Sequence, residues 1–218
     1  MRGLLGVTSA FVLTLIMAGG ALAQGQIAGS LHDFTGEAWA TPSTAISGDL
    51  CTVCHTPHST SGALAPLWNH DLSTQTFTMY TSNTLDATAV TAPDGESAVC
   101  LGCHDGQTAL NAYGGGGDNT VGGGAAATTM SDITLSNSNS IVGTNLQNDH
   151  PISIVYQSAI DNGDVTLNDT TITTVKELLR SGKVQCASCH DPHGRPGLSK
   201  FVRVDNTASA LCTRCHNK

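Results

Sequence analysis

The sequence predicts a largely irregular fold, in which loops, short helices and a few short strands wrap around bodies that the chain's own side chains do not supply. Three observations predict it. Aromatic residues make up 4% of the chain and charged residues 12%, while 24 positions are glycine. Few side chains are large enough to fill a core, and glycine raises the entropy cost of ordering the backbone. The eight cysteines fall into four Cys-x-x-Cys pairs, each followed at once by histidine. Residues 105–149 include "AYGGGGDNTVGGGAAATTMSD" and "SNSNS", turn-rich stretches of low complexity that read as loops.

The chain opens with one basic residue, Arg2, an apolar run from Leu4 to Ala18, and Ala21-Leu22-Ala23. This is the pattern of a secretory signal cleaved after Ala23, so residues 1–23 are expected to be removed and the protein exported. The apolar run is too short to span a membrane comfortably, and no stop-transfer pattern follows it. The remainder, 24–218, suits a single domain.

Charge is unevenly distributed. Between Gln24 and Val175 there are 14 acidic residues and no Lys or Arg, whereas Lys176–Lys218 holds eight basic residues against Glu177, Asp191 and Asp205. The two segments carry formal charges of −14 and +5. They attract each other's counterparts in a second molecule as readily as they solubilise the surface. Nucleic acid is excluded as a partner, because the basic segment is short and the rest repels phosphate.

The four motifs are Cys51-Thr-Val-Cys54-His55, Cys100-Leu-Gly-Cys103-His104, Cys186-Ala-Ser-Cys189-His190 and Cys212-Thr-Arg-Cys215-His216. Cys-x-x-Cys-His is the attachment pattern of c-type haem. The two thiols add to neighbouring vinyl groups on one edge of the macrocycle, and the adjacent histidine then sits beneath the iron as proximal ligand. A zinc ribbon would use paired Cys-x-x-Cys units but gives no reason for a histidine after each. Disulfides suit an exported protein but not this spacing. Four covalent haem c groups are therefore expected, and they fill the core that side chains do not. Folding is expected to depend on them, with Arg180, Lys183, Arg195, Arg203 and Arg214 balancing the propionates.

Nine histidines less four proximal ones leave His32, His58, His70, His150 and His193 as candidates for the sixth position of four irons. Outside the expected signal the only methionines are Met79 and Met130, so bis-histidine ligation and low potentials are expected. His193 follows His190 by three residues and cannot reach the far face of a ring bound beneath His190; it serves a different iron or none. Pro192 turns the chain just after the proximal ligand. Pro57 and His58 repeat the device after His55, so each CHxPH is read as a connector between two haems. His70, in "PLWNHDL", also reads as an ordinary packing residue, and His32 is only slightly the better ligand candidate.

Ser97-Ala-Val-Cys100 and Ser209-Ala-Leu-Cys212 extend the similarity into two two-haem modules, about 51–104 and 186–216. Short strands are expected at Thr76–Tyr80, Ile152–Tyr156 and Val165–Val175. Helices are expected over Thr174–Arg180 and Ser209–His216. Trp39 and Trp68 read as packing residues.

With "CTVCHTPH", "NDHPISIVY", "CASCHDPHGRPGLSKFVR" and "ALCTRCHNK" in view, the chain resembles the filament-forming multihaem outer-surface cytochromes of metal-reducing bacteria. The likeness lies in the two modules and the segment before the second, not in the Gly-rich insert. The resemblance implies a polymer with a continuous haem stack and little regular secondary structure, and that His58 ligates a haem of the neighbouring subunit.

The expected function is electron transfer at the cell surface, to other redox proteins or extracellular acceptors, without bond chemistry. A soluble periplasmic shuttle and a multihaem reductase are the alternatives. A reductase needs an iron with an exchangeable site, and the surplus of histidines argues against one. Because no Lys or Arg lies between Gln24 and Val175, trypsin is expected to leave Gln24–Lys176 as one fragment even from the unfolded mature chain. Mass spectrometry of the digest checks this, and smaller tryptic pieces from that stretch would refute it.

Overall fold

The computed structural model describes residues 27–40, 50–56, 67–114, 127–133 and 140–217. The expected signal, His58 and most of the Gly-rich insert lie outside the described residues.

Most of the chain is turns and bends. Four short α-helices stand out: α1 (Gly95–His104), α2 (Tyr156–Asp161), α3 (Thr173–Lys176) and α4 (Cys186–Cys189). Two-residue strands β1 (Ile154–Val155) and β2 (Lys183–Val184) pair antiparallel, Ile154 opposite Val184 and Val155 opposite Lys183. Single-turn 3₁₀ helices occur at Ala38–Ala40, Thr207–Ser209 and Cys212–Arg214. Among the described residues no helix is long and apolar enough to cross a membrane.

Five expectations need correction. The Val165–Val175 strand does not form: Asp164 accepts the backbone N–H of Thr166 at 2.8 Å, and Asp169 that of Thr171 at 2.7 Å. These local side-chain turns outcompete the β-propensity of the run. The helix expected over Thr174–Arg180 is shorter, Thr173–Lys176 with Glu177 still right-handed beyond it, and the left-handed Ser181 (φ 51°) and Gly182 (φ 78°) form a separate turn between Arg180 and Lys183. The helix expected over Ser209–His216 is split into two 3₁₀ turns, with Ala208 (φ 52°) and Ser209 (φ 62°) both left-handed. The expected strands at Thr76–Tyr80 and Ile152–Tyr156 shrink to an isolated bridge, Thr78 with Asn145, and to β1.

Three small apolar clusters replace a single core. Tyr156, Ala159, Val175, Val184 and Ile154 form one beneath the β1–β2 pair. A second gathers Trp39, Val53, Leu110, Tyr113 and Met130, with Cys54 and Cys103 packed against it. The third joins Met79, Leu101 and Leu146. Both modules thus place attachment cysteines on the edge of a cluster, since Cys215 packs on the first.

α1 and α4 are locked together by a polar network. Ser97 Oγ accepts the backbone N–H of Cys186 at 3.0 Å, and Gln185 Oε1 accepts that of Ser97 at 3.3 Å. Gln185 Nε2 donates to Asp94 at 2.8 Å, and Lys183 completes an ion pair with the same carboxylate. Burial alone would raise the Asp94 carboxyl; the hydrogen bonds from Lys183 and Gln185 outweigh it and hold the group below the usual carboxylate range. Buried Ser97, Ser153 and Gln185 are thereby satisfied, as buried polar groups must be.

The close approach of α1 to the segment ahead of it depends on Gly102. A Cβ there would lie 2.6 Å from the backbone oxygen of Asp71. Gly102→Ala is therefore expected to destabilise the haem-loaded chain by about 1–3 kcal/mol through overpacking against fixed backbone. Gly36→Ala, where a Cβ meets nothing within 4 Å, serves as control. Equal melting temperatures for the two variants would remove Gly102 from this role.

Candidate haem-binding site

A residue pair three apart and a third residue four along share one face of a helical turn. Cys-x-x-Cys-His needs that arrangement to present two sulfurs and one imidazole to the same body. The backbone N–H of His55 donates to Cys51 O at 2.8 Å, that of His190 to Cys186 O at 3.0 Å, and that of His216 to Cys212 O at 2.9 Å. The second motif ends α1 instead, with Glu96 in its first turn and His104 in its last. Each motif histidine is also held by returning backbone. His55 bridges Trp68, His190 bridges Val202 and His216 bridges Leu167; His104 O accepts the N–H groups of Val142 and Gly143 at 2.9 and 3.1 Å.

None of the eight cysteines, all of them among the described residues, is paired in a disulfide, and among the described residues no group of three or more His, Cys, Asp or Glu converges on a metal-ion position. Among the described residues there is thus neither a disulfide framework nor a zinc-ribbon cluster. Burial, with Cys103 adjacent, pushes the Cys54 thiol up to about 12, and burial pushes Cys103 up to about 12 as well. Consecutive motifs are neighbours in space. Cys54 and Cys103 share a cluster, the nearby Cys186 thiol and burial raise Cys100, and Cys189 is raised by burial and then by nearby Cys215.

Three of the five non-motif histidines stand opposite motif histidines. The ring centres of His55 and His193 are 6.0 Å apart, with planes inclined by 19°. His32 faces His104 at 6.2 Å and 64°. His150 faces His216 at 6.3 Å and 69°. These separations are too long for stacked rings in contact. A metal–imidazole bond of about 2.0 Å on each side, with each ring centre about 1.1 Å behind its nitrogen, sets two axial rings about 6.2 Å apart. The pairs fit a haem iron between them.

The hydrogen bonds fit as well. Nδ1 of His104 lies 2.6 Å from Ser140 O, that of His190 3.1 Å from Lys200 O, that of His32 3.1 Å from Pro192 O and that of His150 2.9 Å from Pro151 O. An Nδ1–H given to a carbonyl fixes the tautomer and leaves Nε2 as the basic ligand nitrogen. Trp39 Nε1, Trp68 Nε1 and Arg180 Nη2 are buried donors with no protein acceptor; each costs about 1–3 kcal/mol unless a further acceptor such as a propionate meets it.

His70 is different. It is fully buried, its Nδ1 is 2.8 Å from Asp71 O, its Nε2 is 3.1 Å from Leu110 O, and the Cys103 sulfur is 3.5 Å from Nε2. Both nitrogens lie within hydrogen-bond distance of backbone carbonyls behind the second motif, and a neutral ring donates to one of them. His58 lies outside the described residues, and among these no histidine ring stands at the paired separation from His190.

Sequence reasoning missed the alternation of the pairs. His32 lies ahead of the first module and faces its second motif, and His150 does the same in the second module at nearly the same distance and angle. It also missed the Asp94–Ser97–Gln185 lock, whose only sequence signal is the shared Ser-Ala-x-Cys.

Residues 179–218 match a protein family described as Doubled CXXCH motif. That stretch contains the third and fourth motifs, and a doubled motif of this kind points to a haem-binding electron-transfer cytochrome with covalently attached haem c. No curated protein matches the chain.

His70→Ala is expected to lower stability by about 2–4 kcal/mol, by loss of packing and of two buried hydrogen-bond partners. The ferric visible spectrum should stay low-spin throughout. A new high-spin band in the variant would make His70 a ligand.

Proposed function

We propose that the chain is a tetrahaem electron conduit of the cell surface that polymerises head to tail, with His58 completing the coordination of a haem in the neighbouring copy. The observation that carries it is the set of three histidine pairs at 6.0–6.3 Å, each joining a motif histidine to one from elsewhere. When bound, four haem c groups supply one-electron carriers held close together. The chain's own part is to attach, space and cap them; with every sixth position filled by histidine, no site is left for a substrate to bind iron.

The link between copies follows from the repeat. His193, the second histidine of the third motif's CHxPH, faces His55 of the motif two before it. His58 holds the same place in the first motif. Two motifs before the first is the third motif of a preceding copy, whose His190 is the motif histidine left without a facing histidine among the described residues. The acidic first part and basic last part favour such a head-to-tail contact. It joins two different patches and so propagates without closing. Charge alone is screened within about 8–10 Å at ordinary salt, so a coordinate bond gives the link its direction and salt resistance.

The purified holoprotein is expected to carry four haems by pyridine haemochrome assay and intact mass, all low-spin, and to form filaments under the electron microscope. His193→Ala should turn one haem per chain high-spin without changing the count. His58→Ala should do the same and also shift filaments to monomers. Regular filaments of His58→Ala with every haem low-spin would refute the bridging ligand. A wild-type chain that stays monomeric at high concentration would favour a periplasmic shuttle.

A further inference from the structure

The junctions between motifs alternate. Within each module the second cysteines are neighbours: Cys54 and Cys103 pack against one apolar cluster, and Cys215 acts on Cys189 more strongly than any other thiol. Between modules the first cysteines adjoin: Cys100 with Cys186, across the Ser97 contact. The next junction of the second kind would use the first cysteines of the fourth and first motifs, Cys212 and Cys51. These are the two cysteines that are exposed; the other six are partly covered.

We infer that the surface formed by Asn206–Cys212 receives the first motif of a second copy, Leu50–Cys54, in the way that α1 receives α4 within one chain. This rests on the head-to-tail reading above and adds the docking residues. Ser209 stands three residues before Cys212, as Ser97 stands three before Cys100. Residues 205–209 are exposed, and Leu50 and Cys51 lie at the open edge of the first motif. The receiving surface belongs to the basic segment and the entering motif to the acidic one, so the charges match the direction.

Two differences set the character of this junction. Gln185, which ties Ser97 to Asp94, corresponds to Leu50, so the polar lock is replaced by an apolar contact. The helix that presents Ser97 corresponds to a turn in which Ala208 and Ser209 are left-handed. Residues with a Cβ are strained in that region, where the Cβ crowds the following carbonyl oxygen. Docking that lets 207–212 adopt the helical path of α1 releases that strain, which ties assembly to a local change of shape.

Sedimentation velocity of the haem-loaded chain tests the junction. Wild type should polymerise, whereas Ser209→Trp and Leu50→Asp, each retaining four haems, should need at least tenfold more protein to do so. Ser209→Asp should also resist assembly, and combining it with Leu50→Lys in one chain should restore it. Hydrogen exchange supplies a readout free of mutation: in wild type the amides of 50–52 and 207–212 should slow on assembly. If wild type and Ser209→Trp polymerise alike and those amides keep exchanging, the junction lies elsewhere and head-to-tail assembly still stands. If wild type is monomeric at every concentration, both are overturned.

Discussion

The constraint on which the rest depends is the single helical turn that closes each Cys-x-x-Cys-His. One backbone hydrogen bond from histidine to the first cysteine puts two sulfurs and an imidazole on one side of the chain. A lone turn has no cooperative stability of its own. Each is therefore buttressed, by a bridge to returning backbone or, for α1, by a longer helix. The irregular connections are what is needed to bring such buttresses to four turns with so few apolar residues.

The three clusters and the polar lock do different work. The clusters hold the second cysteines of a module against apolar side chains, where the neighbourhood resembles a small protein core. The lock between α1 and α4 is built from Ser, Gln, Asp and Lys, and fixes register rather than adding bulk. A buried polar network of this kind tolerates one arrangement and penalises the others. The spacing between modules is thus set more sharply than apolar contact alone would set it.

Local features were legible in the sequence and distant ones were not. The four turns, the scarcity of regular structure and the chain reversal at Pro192 follow from residues next to one another. So did the argument that His193 cannot pass behind its own motif. That it stands opposite His55 did not, because the two are brought together by the path of the chain between them. The strand expected over Val165–Val175 misled because β-branched residues were weighed without the turn-forming Asp164 and Asp169 among them. The glycine of Cys100-Leu-Gly-Cys103 carried no visible signal, since its reason is the carbonyl of Asp71.

Four histidines hand Nδ1 to a main-chain carbonyl, those of Ser140, Lys200, Pro192 and Pro151. A carbonyl does not titrate, and its position belongs to the backbone trace rather than to any side chain. The orientation of these imidazoles is therefore set by the chain path and is indifferent to which amino acid contributes the oxygen. Substitution at positions 140 and 200 can change the side chains there while leaving these two hydrogen bonds in place.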